Sequence, residues 1–258
     1  MKSLFPFRSA RRGVGMALAL AANYVDFACL WAVHHRWKRS QSIPLTDRAR
    51  WMQRSCKRVA RALHLEIEAQ GILPQNGLIA SNHLSYLDIL AYAATLPCVF
   101  VSKSEVRSWP VFGLLARLGG TLFVERDRRT GVESMSRQME AVLMAGLPLV
   151  LFPEGTSTDG SMVLPYYPSL LQPALDCAVP ITPAAIGYSA QGAAEQQLCY
   201  YGEVSFAPHL RSVLRIERTR VTTYFGDPET QFADRKEAAR ELRSRTLALR
   251  NELCRDIR

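Results

Sequence analysis

The sequence predicts an α/β fold: a single layered domain with a mixed central sheet flanked by helices, preceded by an N-terminal membrane-associated helix. Three observations lead there. Seven short apolar runs alternate with stretches whose apolar residues recur at helical spacing. The 258 residues are 48% hydrophobic and 21% charged, which excludes a disordered or collagenous chain and supplies one sizeable core. The segment from Val14 to Val33 is mostly apolar, and no repeat or linker divides the chain beyond it. The expected organisation is residues 1–45 as the helix with its basic flanks and residues 46–258 as one domain.

As a helix, Val14 to Val33 reaches about 30 Å, near the thickness of a bilayer core. Asn23 and Asp26 interrupt it, and an aspartate near the bilayer centre costs about 2.5 to 3.5 kcal/mol. Arg8, Arg11 and Arg12 precede the segment, Arg36, Lys38 and Arg39 come after it, and Trp31 and Trp37 stand near its second boundary. Such flanks suit a helix that lies in the interface or dips into one leaflet. A signal peptide cleaved after Ala19-Leu20-Ala21 and an ordinary buried helix are the competing readings.

From Thr46 to Leu63 the pattern is an amphipathic helix, with Thr46 placed as its cap and Trp51, Met52, Cys56, Val59, Ala60 and Leu63 on one side. Arg48, Arg50, Arg54, Lys57, Arg58 and Arg61 fall on the other, toward solvent or an anionic membrane surface. Strands are expected at Leu63–Ile67, Leu78–Ala80, Cys98–Val101, Thr121–Val124, Leu149–Phe152, Ile181–Ile186 and Val221–Phe225. Thr130 to Glu133 forms a capping-box pattern ahead of Met135, Met139, Val142 and Leu143, and Gly146 ends that helix. Asp234 to Arg258 reads as a basic helix with Leu242, Leu249, Leu253 and Ile257 on one stripe.

The 32 Lys+Arg against 23 Asp+Glu leave a formal charge of +9. Arginine carries most of it, the residue suited to bidentate phosphate contact, which keeps nucleic acid, anionic lipid and phosphorylated substrates open. The six cysteines form no Cys-x-x-Cys pair and no zinc spacing with histidine, so no metal is expected and a reducing compartment is.

Two blocks carry chemistry. In Ser81-Asn82-His83-Leu84-Ser85-Tyr86-Leu87-Asp88, a histidine comes after a strand and an aspartate stands five residues on. The carboxylate can hold one ring nitrogen while the other takes a proton from a hydroxyl; Ser85-x-x-Asp88 is equally a helix-capping box. In Phe152-Pro153-Glu154-Gly155-Thr156-Ser157-Thr158, backbone N–H groups and hydroxyls after a strand can receive an oxyanion or phosphate, or simply form a surface turn. Lys103 and Arg126 each stand just beyond a strand, able to bind phosphate or merely to be solvated. Gly155-Thr156-Ser157-Thr158-Asp159 also comes within one residue of a serine-hydrolase elbow.

Together these blocks resemble the glycerophospholipid acyltransferase family over roughly Gly71 to Tyr188, because four motifs stand in the family's order. Asn82-His83 through Asp88 matches the family's His-x4-Asp signature, which implies His83 as general base and Asp88 as its orienter. Gly120 through Arg126 is similar to the second motif, placing Phe123 and Arg126 near the acceptor's head group. Phe152 through Thr156 resembles the third, with Glu154 and Gly155 shaping the acceptor site, and Val179-Pro180-Ile181-Thr182-Pro183 the fourth. Asn82, Lys103, Phe123, Arg126, Glu154, Gly155, Thr156 and Ser157 are the substrate-binding set so implied. Two departures stand out: Ser157 occupies a position where many lysophosphatidate acyltransferases carry arginine, and Pro165-Tyr166-Tyr167 lacks their downstream basic residue. The Phe-Pro-Glu-Gly-Thr-Ser form, with Tyr200-Tyr201-Gly-Glu203, is similar to bacterial enzymes that include lyso-ornithine lipid acyltransferases.

The resemblance implies acyl transfer from a thioester, acyl-CoA or acyl-carrier protein, to the hydroxyl of a lysolipid, with no cofactor beyond the donor substrate. The expected acceptor is 1-acyl-sn-glycerol-3-phosphate, with a lyso-ornithine lipid as the alternative. Expected partners are these substrates and an anionic membrane surface at the cytoplasmic face, and no nucleic acid. A basic membrane- or nucleic-acid-binding module is the non-enzymatic alternative.

Overall fold

The computed structural model describes residues 5–37, 42–109, 111–124 and 129–256. Helix α1 (Phe5–Ala32) runs on through a π-helical turn, Val33–Trp37, and packs on α2 (Leu45–Leu63). Next come β1 (Leu65–Gln70), β2 (Leu78–Ser81), α3 (Leu87–Thr95), β3 (Val99–Lys103), α4 (Phe112–Gly119), β4 (Leu122–Val124), α5 (Arg129–Met144) and β5 (Leu149–Leu151). The remainder is α6 (Gln172–Asp176), β6 (Ile181–Ala190), α7 (Phe206–Val213), β7 (Thr219–Phe225) and α8 (Arg235–Asp256).

All seven expected strands join one sheet in the order β1-β7-β6-β2-β5-β3-β4, parallel throughout except between β6 and β7. Leu149-Val150-Leu151 is buried at every position, as a parallel strand covered on both faces requires. On one face α2, α3 and Leu115 of α4 close a core around Trp51, Tyr92 and Phe100; on the other, α5, α6 and α8 pack Met139, Ala174 and Leu242 onto Leu78 and Leu149. The parallel strands β2, β5, β3 and β4 end on the same edge, where α/β sheets bind ligands. Gly77, ahead of β2, has φ +82°, and a Cβ there would lie 2.2 Å from the Pro180 carbonyl oxygen, so β2 meets β6 only through glycine.

Several expected boundaries move. Leu63 belongs to α2 rather than to a strand, because His64 adopts a left-handed conformation that ends the helix before β1 begins. Thr46 does not cap α2: the helix starts at Leu45, and the Asp47 and Arg48 amides donate to the Pro44 carbonyl. Thr130 is not a cap either, since α5 is already helical at Arg129. Strand β6 runs on to Ala190 because its antiparallel pairing with β7 continues past Ile186. Lys38, Arg39, Glu125, Arg126 and Ile257 lie outside the described residues.

Helix α1 is long and apolar enough to cross a membrane by length and composition, and only 6% of its apolar window is buried in the protein. Its two polar interruptions face α2. Arg58 donates to Asn23 Oδ1 at 3.0 Å and to Asp26 Oδ2 at 2.9 Å, and the Trp51 indole N–H donates to the Asn23 carbonyl at 3.1 Å. Val14, Leu18, Val25 and Trp31 point away from the protein. The polar groups are thus satisfied inside, together with Met16, Leu20 and Phe27, and one apolar face is left outside, as in a candidate membrane-associated helix. Of the arginines expected on the open side of α2, Arg58 serves α1, and Arg48 donates to the carbonyls of Leu118 and Arg117 at the end of α4.

Because Trp51 is fully buried and joins both helices to the core, Trp51→Ala is expected to destabilise the protein by about 3 to 5 kcal/mol in chemical denaturation. A loss below about 1 kcal/mol means that α1 and α2 do not form one packed unit.

Candidate active site

The chain leaves β2 at Ser81, and His83 and Asp88 are brought together by the tight start of α3. His83 Nδ1 lies 2.7 Å from Asp88 Oδ2, and the same oxygen accepts from the amides of Leu84 (2.7 Å) and Ser85 (3.1 Å). One carboxylate oxygen thus gathers the amides of the turn and the imidazole, but the expected capping box does not form: among the described residues the Ser85 hydroxyl has no partner, and the Asp88 amide donates to the Ser85 carbonyl. Asp88 is fully buried, and its Oδ1 accepts from the Tyr188 hydroxyl. A carboxylate removed from water in this way needs such a full set of donors.

The acceptor Asp88 Oδ2 fixes the proton on Nδ1 and leaves the Nε2 lone pair free. The His83 side chain is 23% exposed, and its ring stacks on Phe152, with centroids 4.1 Å apart and planes 15° from parallel. Nε2 makes no hydrogen bond among the described residues, so it is the atom open to a substrate proton.

The loop after β5 locks this arrangement from the other side. Glu154 Oε1 accepts from the His83 amide at 2.8 Å, and Oε2 accepts from the Leu164 amide at 2.6 Å. The Thr158 amide donates to the His83 carbonyl at 2.9 Å, and the Tyr200 amide to the Leu84 carbonyl at 2.8 Å. Gly155 turns the chain at φ +72°, its own amide bonded to Phe152. The next two amides, of Thr156 and Ser157, make no hydrogen bond among the described residues, which leaves two donors at the mouth of the loop.

The expected substrate-binding residues divide in their placement. Thr156 is exposed and Ser157 half-buried, with its hydroxyl donating to the Tyr200 carbonyl. Lys103 is exposed at the end of β3, and Phe123 is partly exposed in β4 beside it. Asn82 and Glu154 are turned inward: the Asn82 amide group exchanges two hydrogen bonds with the Ile186 backbone, at 3.1 and 2.8 Å. A cleft of about 540 Å³ runs between Arg48, Arg107, Arg117, Thr121 and Phe123. No helix comes directly after Ser157, and the next helical turn begins at Pro168, which removes the strand–turn–helix context of a hydrolase elbow.

Sequence reasoning missed Phe152 as the ring under His83, Tyr188 as the donor to Asp88, and Arg107 and Arg117 as lining of the cleft. Phe152 was legible as the last apolar residue before the Glu154 turn. Tyr188 was not, since one tyrosine in an apolar strand reads as core.

A family model described as Acyltransferase matches residues 64–187. The chain is 33% identical to the lyso-ornithine lipid O-acyltransferase of Pseudomonas aeruginosa, over 91% of this chain and 88% of that one. It is 30% identical to the 1-acyl-sn-glycerol-3-phosphate acyltransferase of Neisseria meningitidis, over 65% of this chain and 67% of that one. Its fold is similar to the crystal structure of the 1-acyl-sn-glycerophosphate acyltransferase PlsC from Thermotoga maritima, with a TM-score of 0.62 at 17% identity over 94% of this chain and 97% of that one.

Burial pushes the Glu154 carboxyl up to about 7, against the opposing pull of the Leu164 and His83 amides. The folded protein therefore keeps a proton that the unfolded chain loses near 4.5, and the stability this gives is complete below about 4.5 and lost as pH rises through about 7. Relative to Glu154→Gln, the wild type is expected to lose on the order of 3 kcal/mol between those values, read by urea denaturation across pH. A difference that stays flat with pH contradicts the raised carboxyl.

Proposed function

Because the chain belongs to the acyltransferase family, we propose that it transfers a fatty acyl group from a thioester donor to the hydroxyl of a lysolipid, with His83 as general base and Asp88 as its orienter. The observation that carries this reading is the His83 Nδ1–Asp88 bond at 2.7 Å with Nε2 left open. The acceptor oxygen attacks the thioester carbon as its proton passes to Nε2. The resulting oxyanion faces the amides of Thr156 and Ser157, the unoccupied donors of the β5 loop. As the C–S bond breaks, the imidazolium returns the proton to the departing thiolate, giving an ester and a free thiol. Asp88 holds one tautomer before the transfer and balances the imidazolium after it.

Acyl-CoA and acyl-carrier protein both present such a thioester, and the apolar outer face of α1 seats the protein on the cytoplasmic leaflet, where donor and lysolipid meet. Residues 1–45 serve as the anchor and residues 46–258 carry the reaction. For a phosphate-headed acceptor, 1-acyl-sn-glycerol-3-phosphate, support comes from the cleft beside Phe123, whose Arg107 and Arg117 take part in no ion pair among the described residues. For a lyso-ornithine lipid, support comes from the relatives of that name and from Ser157, which puts a hydroxyl rather than a cation after Glu154-Gly155-Thr156.

The test is acyl transfer by detergent-purified protein, with each acceptor offered against both donors. Turnover of one or both acceptors is expected, and His83→Ala is expected to lower it by about 10² to 10⁴ without unfolding the chain. Preference for the phosphate acceptor assigns the head group to the arginine cleft; preference for the ornithine acceptor assigns it to the Ser157 side. A His83→Ala variant that keeps most of its activity overturns the mechanism.

A further inference from the structure

Beyond the pair itself lies a chain of buried polar groups for which the proposed reaction has no stated use. Tyr188, in β6 and 1% exposed, donates its hydroxyl to Asp88 Oδ1, the oxygen that His83 does not touch. Its own amide donates to Glu195 Oε1 at 2.7 Å, and Glu195 Oε2 is paired with Arg250 of α8. Arg250 also reaches the Gly160 carbonyl at 3.3 Å, on the loop whose Thr158 amide holds the His83 carbonyl. The space for this guanidinium is made by two glycines: a Cβ at Gly187 would lie 2.5 Å from Arg250 Nη1, and one at Gly160 would lie 2.9 Å from Nη2. Burial and the neighbouring Asp88 carboxylate hold the Tyr188 phenol well above its usual range, so it remains a donor at every working pH.

We propose that Tyr188 is a positioning residue for the reaction: its hydroxyl fixes the second oxygen of Asp88, and the Glu195–Arg250 pair fixes the main chain that carries Tyr188. A carboxylate held by one oxygen alone is free to rotate about its Cβ–Cγ bond, and with it the imidazole that it orients. Four donors, His83, Leu84 and Ser85 on one oxygen and Tyr188 on the other, remove that freedom. Withdrawing the Tyr188 donor also leaves more charge on the carboxylate, which favours the protonated imidazole and delays its release as a base. The inference rests on His83 being the base, and Tyr188 itself touches no reacting atom.

The test compares Tyr188→Phe with wild type in kcat, acceptor KM and the pH profile of kcat/KM, with His83→Ala alongside. Tyr188→Phe is expected to lower kcat by about 10- to 100-fold, the rate equivalent of one hydrogen bond to a charged group, with KM little changed. The acid limb of the profile is expected to move to higher pH, which a merely structural loss does not produce. An unmoved acid limb with kcat near wild type overturns the inference while a silent His83→Ala leaves the base in place; an active His83→Ala overturns the base instead. If Tyr188→Phe does not fold, Glu195→Ala takes its place, since it removes the acceptor of the Tyr188 amide and keeps the hydroxyl. A smaller shift of the acid limb in the same direction is then expected, and an unchanged profile overturns the inference.

Discussion

One buried carboxylate sets the terms for the rest of the structure. Asp88 is fully removed from water, yet its oxygens accept from His83, from the amides of Leu84 and Ser85 and from the Tyr188 hydroxyl. Burying such a group without these partners costs several kcal/mol. Satisfying it demands that the β2–α3 turn and strand β6 arrive at one point. The sheet order provides this, because β6 lies directly beside β2, with Ala184 opposite Ser81. Gly77 at the foot of β2 and the Asn82 clamp on Ile186 keep the two strands in that register.

The same logic applies to the loop after β5. Glu154, expected to help shape the acceptor site, has both its oxygens engaged by the His83 and Leu164 amides. Its contribution is to hold two loops together, leaving the amides of Thr156 and Ser157 as the donors that remain. The site is therefore assembled largely from backbone groups whose positions are fixed by buried side chains, the form of preorganisation that gives an oxyanion its stabilisation without rearrangement. Helix α1 is divided in a related way: its Asn23 and Asp26 are satisfied by α2, Met16, Leu20 and Phe27 pack on the core, and Val14, Leu18, Val25 and Trp31 are left exposed.

The sheet was legible in the sequence because its inner strands β2 and β5 are short apolar runs buried at every position, while β1 at the edge alternates Leu65 and Ile67 with exposed Glu66 and Glu68. Helix starts were read less well. Thr46 and Thr130 have the chemistry of caps but lie inside helices, which begin at Leu45 and Arg129. His83 and Asp88 were legible because a five-residue spacing across a strand-to-helix turn leaves few other places for the two groups. The inward turn of Asn82 and Glu154 was not, since a sequence names a polar residue without saying whether water or backbone satisfies it. Glu195 and Arg250 were hidden for the opposite reason. In a chain with 32 basic residues, one buried arginine in a basic helix looks like the rest.

The mechanism stands most directly on which ring nitrogen of His83 carries the proton. Nitrogen-15 NMR of detergent-solubilised protein with labelled histidine, assigned by comparison with His83→Ala, reads this at neutral pH. The mechanism predicts the tautomer protonated at Nδ1, with Nε2 showing the shift of a bare lone pair and reverting toward the average of the two tautomers in Asp88→Asn. A His83 protonated at Nε2, with its lone pair on Nδ1, would contradict it, because the nitrogen facing substrate would then have no capacity to accept a proton.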